Sequence, residues 1–300
     1  MKVFLTGATG YIGSAILAAL VDAGHDVTAL VRDSAKGARV SAAGAKAVVG
    51  NLGTPDSFAS AAAGHDAYVL AGFEGGALGP EVDRLSIGAL LDVAQSGSAP
   101  TAVVYTSGVW VLGSTQKPAA EDAALNPAPS VLWRPAHERL VLEAAQTRVR
   151  TAVVRPGIVY GGARGLVGDM FKDADNGLIR VVGDGRNHWP LIYNRDLGQL
   201  YRLIVESPEA AGVFHANDEG DETVLELVEA MSQQTAHEPS VRHLPVEEAT
   251  KKMGAYAAAL AMDQIVRSPK AKALGWQPSL RSVAGNVPRL FEEWRAGRDE

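Results

Sequence analysis

The chain has 300 residues, 47% of them hydrophobic and 21% charged, with a formal net charge of −6. That composition suits a globular chain with a substantial core, and its negative balance offers no basic field to hold nucleic acid or an anionic membrane. Cysteine is absent, which excludes disulfides, zinc–thiolate sites and thiol nucleophiles.

The opening MKVFLTGATG has a single lysine, and its apolar run soon breaks at glycines, so no secretory leader is expected. No uninterrupted apolar run approaches a membrane span, and the cytoplasm is the expected compartment. KVFLT (2–6) predicts a buried strand, and AILAALVDAG predicts a helix closed by a left-handed Gly24. DVTALV (26–31) and AKAVVG (45–50) predict two more strands. TPDSFASAAAG predicts a helix with Thr54 as N-cap and Pro55 at its first position. Strands follow at DAYVLAG (66–72), TAVVYTS (101–107) and RTAVVRPGIV (150–159), separated by helical patterns near 81–96 and 135–147. Strands alternating with helices predict an α/β fold, a doubly wound parallel sheet covered on both faces.

The alternation fails after about residue 160. A Gly-rich loop (161–168), the segment GDGRNHWPLIYNRDLG, helices near 197–206 and within TVLELVEAMSQQT, a strand in SVRHLPV and a C-terminal helical stretch follow. No linker or repeat divides the halves. Residues 1–160 are expected to form the nucleotide domain, with some later segments returning to it, and 161–300 mainly a smaller α/β substrate lobe.

TGATGYIG sets Gly7, Gly10 and Gly13 between the first strand and the first helix. Gly7 permits the tight turn, Gly10 lets the backbone approach a pyrophosphate, and Gly13 lets helix and strand pack closely. The helix N-terminus adds free N–H groups and a positive dipole end. At the tip of the second strand, in LVRD, Arg32 with Lys36 nearby favours the 2′-phosphate of NADP, while Asp33 leaves NAD open.

The GxxGxxG spacing, VVYTSG, VRPGIVYG and LGW together resemble the extended short-chain dehydrogenase/reductase superfamily, in its NAD-dependent epimerase/dehydratase and dihydroflavonol-reductase-like branch. The resemblance covers nearly the whole chain. It implies a Rossmann domain, an NAD or NADP cofactor, and a C-terminal lobe that selects a small-molecule substrate. It further implies that Asn51 and Leu52 flank the adenine, and that Tyr11, Ile12, Ala71, Gly72, Thr106, Pro156 and Ile158 border the cofactor. Similar enzymes often dimerise through two helices per subunit, here 81–96 and 135–147; small residues along LSIGALLDVAQSG allow such a homodimer.

The resembled family uses a Ser/Thr, a Tyr and a Lys for acid–base work. Here Gly108 aligns with the hydroxyl position, and Ser107 stands one residue before it. In SVLWRPAHERLVL the Tyr-xxx-Lys pair aligns either with Trp133 and His137 or with Ser130 and Arg134, so neither register contains it. His137, near the N-terminus of a helix begun by Pro135, is a candidate base or donor. Tyr160 and Tyr193 are candidate phenols from another direction, beside His188 and Trp189. Arg134 is a candidate for ribose hydroxyls or a substrate carboxylate, and Arg195–Asp196 reads as an internal pair. The histidines at 25, 65, 215, 237 and 243 lack metal-ligand spacing, so no catalytic metal is expected. The leading expectation is an NADP(H)-dependent oxidoreductase or isomerase acting on a small carbonyl, enone or imine. A redox-silent sensor resembling NmrA-like members, or a lyase or cyclase, is the alternative.

Overall fold

Six runs of β-branched and apolar residues become parallel strands: β1 (Lys2–Thr6), β2 (Asp26–Val31), β3 (Lys46–Val49), β4 (Ala67–Leu70), β5 (Thr101–Thr106) and β6 (Val149–Pro156). Five further strands follow: β7 (Ile158–Tyr160), β8 (Leu178–Val182), β9 (Leu191–Tyr193), β10 (Gly212–Ala216) and β11 (Ser240–Leu244). The first helices are α1 (Tyr11–Asp22), α2 (Ser34–Ala42), α3 (Ala59–Ala62), α4 (Gly79–Ser96), α5 (Arg134–Glu143) and α6 (Gly165–Asp175). The remainder are α7 (Asn194–Glu206), α8 (Val224–Ser232), α9 (Val246–Met253), α10 (Ala255–Leu260), α11 (Pro269–Ala273) and α12 (Val287–Ala296). The structure is a computed structural model and describes residues 1–115, 117–235 and 238–298. His237 lies outside the described residues.

The seven-stranded sheet has the order β10-β6-β5-β4-β1-β2-β3, with neighbouring strands parallel throughout. All its strands therefore end at one edge, and the order reverses between β1 and β4, the position where doubly wound sheets open a binding crevice. Alternation along β1 sends Val3 and Leu5 to one face and Phe4 to the other. Ile16 and Leu20 of α1 cover the first face together with Leu197, Leu200 and Ile204 of α7; Ile87 and Leu90 of α4 and Val141 of α5 cover the second. Each such buried aliphatic side chain contributes about 1.5–3 kcal/mol. α7 lies so close to α1 that a Cβ on Gly198 would meet the Ala15 carbonyl oxygen at 2.4 Å.

The later chain divides between the two cores. β10 adds to the sheet beside β6, and α7, Ala271 and Trp276 join the core around α1. A separate core is built from Tyr160, Phe171, Trp189, Tyr193, Leu227, Phe291 and Trp294. Small parallel pairs, β7 with β9 and β8 with β11, frame this second lobe. Among the described residues, no helix is long and apolar enough to cross a membrane.

Three local expectations are corrected. Thr54 makes no side-chain cap; Pro55–Ser57 forms a 3-10 turn, and the helix is reduced to α3. The Gly-rich stretch 161–168 is loop only as far as Arg164, because Gly165 already opens α6. The expected strand 150–159 is two strands interrupted at Gly157, where a Cβ would lie 2.4 Å from the Pro190 carbonyl oxygen.

Candidate functional site

Gly7 has φ +76, and a Cβ there would meet the Ala71 carbonyl oxygen at 2.5 Å. A Cβ on Gly13 would fall 2.0 Å from the Gly7 carbonyl oxygen, so the turn closes only with hydrogen at both positions. α1 begins at Gly10 without a side-chain cap. Its first-turn N–H groups, those of Tyr11, Ile12 and Gly13, therefore face out of the helix end. Thr6 secures the neighbouring strand end, its Oγ1 accepting from the Gly72 N–H at 3.0 Å.

From this turn a groove of about 600 Å³ runs over the ends of β1, β2 and β4. Gly7, Gly10, Tyr11, Ile12, Arg32, Asn51, Leu52, Ala71 and Gly72 all line it. So do Lys36, Arg39 and Arg164, making one wall of the groove cationic. Arg39 and Arg164 escape a sequence reading because they reach the groove from the body of α2 and from a loop of the second half. Asp33 is turned away from ribose duty: its carboxylate caps α2, with Oδ1 accepting the Lys36 N–H at 2.8 Å.

Beyond Tyr11, Ile12 and Phe73, which are walls of both spaces, the groove meets a cavity of about 450 Å³ at the ends of β5 and β6. Ser107, Gly108, Ser130, Arg134, Pro156 and Ile158 line it, together with Val109, Trp110, Val131, Trp133, Leu166 and Tyr256. Of the two registers for SVLWRPAHERLVL, the cavity wall carries Ser130 and Arg134. The Ser130 hydroxyl is buried without a hydrogen-bond partner. Arg134 Nη1 donates to the Thr106 carbonyl oxygen at 3.0 Å, and its guanidinium lies over the Trp133 ring at 4.5 Å.

His137 is not brought to the cavity. Its ring is buried between α4 and α5, with Nδ1 2.8 Å from Asp83 Oδ2 and its edge against Trp133. Asp83 also accepts from the Tyr105 hydroxyl at 2.7 Å; burial and that carboxylate push the Tyr105 phenol up. His137 thus serves to hold the wall residue Trp133 one turn earlier. Thr106 lines neither the groove nor the cavity: its Oγ1 bonds the Tyr201 hydroxyl at 2.6 Å, and its carbonyl accepts from Arg134.

Behind the cavity runs a buried polar line. Ser107 Oγ donates to Glu138 Oε1 at 2.5 Å. Arg155 grips the same carboxylate from two nitrogens, Nε at 3.0 Å and Nη2 at 2.6 Å. Its Nη1 lies 3.4 Å from His215 Nε2, and burial together with that cation lowers the His215 pKa to about 4. The other described histidines are spread out: His25 meets Glu206, His65 meets Thr28, and His243 meets the Gly183 carbonyl.

The two candidate phenols are also placed elsewhere. Tyr160 is fully buried in the second lobe and donates to Asp218 Oδ2 at 3.0 Å; Tyr193 donates to Glu293 at 3.0 Å. Burial raises both phenols above their ordinary range, and neither lines the cavity. His188 pairs with Asp263, and the Trp189 indole donates to the Leu260 carbonyl. Asp196 is not paired with Arg195: it accepts the Ser279 and Leu280 N–H groups, while Arg195 lies over the Tyr193 ring. Of the phenols that do line the cavity, Tyr11 opens α1 and Tyr256 comes from α10, where no sequence motif announces it.

Burial raises Asp218 to about 7, against the N–H of Gly220 and the Tyr160 hydroxyl that favour its charge. Between the ordinary carboxylate value and that raised one, the folded chain holds a proton that the unfolded chain has released, so stability falls as pH rises through this window. Asp218→Asn is expected to raise the melting temperature clearly at pH 8 and by less at pH 5. Thermal unfolding at the two pH values checks this; an equal shift at both would refute it.

With the cofactor groove and cavity in place, the comparisons are specific. The chain belongs to the NAD(P)H-binding family, whose model matches residues 7–175. Its relatives include an uncharacterised Schizosaccharomyces pombe protein, C2A9.02, 30% identical over 93% of this chain and 95% of its own length. The 2-alkyl-3-oxoalkanoate reductase of Stenotrophomonas maltophilia is 30% identical over 70% of this chain and 68% of its own. Among solved structures, human epimerase family protein SDR39U1, solved with NADPH, superposes with a TM-score of 0.78 at 22% identity. It covers 97% of this chain and 99% of its own.

Proposed function

We propose that this chain is an NADP(H)-dependent oxidoreductase or isomerase of a small organic molecule, working without a Tyr-xxx-Lys pair. One observation carries the reading: the groove over the glycine turn and the cavity at the ends of β5 and β6 share Tyr11, Ile12 and Phe73 as walls. The residues fit a dinucleotide. The uncapped start of α1 and the Gly7–Gly13 turn would take the pyrophosphate, and Asn51 and Leu52 the adenine. Arg32, Lys36 and Arg39 would take a ribose 2′-phosphate, and Arg134 the ribose nearest the cavity. When bound, the cofactor supplies or accepts a hydride. The chain's part is to hold the substrate beside it and to keep water out, which the aromatic walls Trp110, Trp133 and Tyr256 suit. A walled cavity that retains the polar residues Ser107 and Arg134 supports an enzyme over a redox-silent sensor.

Titration with NADPH and NADH, followed by nicotinamide fluorescence, tests the reading. NADPH is expected to bind more tightly, and Arg32→Ala to weaken it about tenfold, equivalent to about 1.4 kcal/mol, while barely changing NADH. Equal binding of the two, unaffected by Arg32→Ala, would remove the NADP preference. Binding of neither by folded protein would sink the oxidoreductase reading.

A further inference from the structure

The proton of Ser107 is already committed. Its hydroxyl donates to Glu138, which Arg155 holds through both oxygens, and the Arg155 and Glu138 side chains are only 4% and 3% exposed. A carboxylate held in this way accepts and does not donate. What Ser107 presents to the cavity is therefore a lone pair. Gly108, next along, adds no side-chain donor; a Cβ there would find nothing nearer than the Pro156 carbonyl oxygen at 3.9 Å. Ser130 lines the same wall, but its hydroxyl oxygen is itself buried and offers the cavity no hydrogen-bonding group.

Resting on the cofactor reading above, we propose that the substrate is an apolar, ring-bearing molecule that points a hydrogen-bond donor, an alcohol hydroxyl or an N–H, at Ser107. An alcohol hydroxyl or an N–H can donate to the Ser107 oxygen. A ketone of the same shape sets its oxygen against the Ser107 lone pair, leaving polar groups in an apolar cavity poorly matched. The body of the molecule is set by the remaining wall: Val109, Trp110, Val131 and Tyr256 offer hydrophobic and aromatic faces. Among the described residues that line the cavity, Arg134 is the one with a formal charge, and it is bonded to the Thr106 carbonyl and stacked on Trp133. That wall does not suit a diphosphate-bearing substrate.

The test compares two probes of nearly one shape, 1-(2-naphthyl)ethanol and 2-acetonaphthone, by calorimetric titration of the full chain with and without NADP⁺. The alcohol is expected to bind at least about tenfold more tightly. Ser107→Ala is expected to bring the two within about threefold, chiefly by weakening the alcohol. Should that variant fail to fold, Ser107→Cys keeps the volume with a poorer acceptor and is expected to narrow the contrast in the same direction. A ketone that binds as tightly as the alcohol, or failure of both probes to bind, overturns the proposal. NADPH binding is read separately on the same preparation. Its loss alongside a preserved probe contrast would overturn the cofactor reading while upholding the polarity assigned to the cavity.

Discussion

Glu138→Ala should lower the unfolding free energy by about 3–5 kcal/mol, because it leaves the Arg155 guanidinium buried without its counter-charge. In a chain of this size that is a fall in melting temperature of roughly 10 °C. The size of the effect follows from geometry: two charge-assisted bonds, at 3.0 and 2.6 Å, join side chains that are almost wholly removed from water. The loss measures an abandoned cation more than the worth of the pair. Glu138→Leu combined with Arg155→Met, which removes both charges and keeps the volume, should recover most of the stability. Denaturant unfolding of the three proteins checks this, and a double variant as unstable as the single would show the charge argument to be wrong.

Gly13→Ala should reduce NADPH affinity by at least about a hundredfold, or about 2.7 kcal/mol. The added methyl carbon would stand 2.0 Å from the Gly7 carbonyl oxygen and 2.5 Å from its carbon, and backbone at both ends cannot yield without moving the turn. Movement there displaces the N–H groups at the start of α1. Gly24→Ala is the matched control. Gly24 has φ +78 and open space around it, so alanine there costs about 1–2 kcal/mol of backbone strain and leaves the groove untouched. Undiminished NADPH affinity in Gly13→Ala would show that the nucleotide does not bind on this turn.

How much of this was legible in the sequence follows from how far each interaction reaches. The strands were legible because a buried parallel strand needs a continuous run of residues such as VFL or AVV, and the run itself is the signal. The glycine turn was legible because its three constraints fall within seven consecutive residues. The cavity beyond it was not. Ser107 meets Glu138 across 31 positions and Asp83 meets His137 across 54, while Tyr256 arrives from the far end of the chain. His137 and Tyr160 carry the right chemistry in a suggestive place, yet each is turned toward a carboxylate that only the fold supplies. Thr54 stood before a proline as a cap should, but the chain there closes a 3-10 turn around Ser57, whose Oγ donates to the Thr54 carbonyl.

The shared walls of the groove and the cavity have a thermodynamic consequence. Tyr11 belongs to both spaces, and its hydroxyl is fastened to the Gly161 carbonyl of the later chain at 2.7 Å. A molecule that shifts this ring from one side alters the free energy of occupancy on the other. Linkage makes that coupling reciprocal: whatever factor the first ligand imposes on the second, the second imposes on the first. Affinity for either ligand is therefore a property of the joint state of the two spaces, with one tyrosine as the piece they have in common.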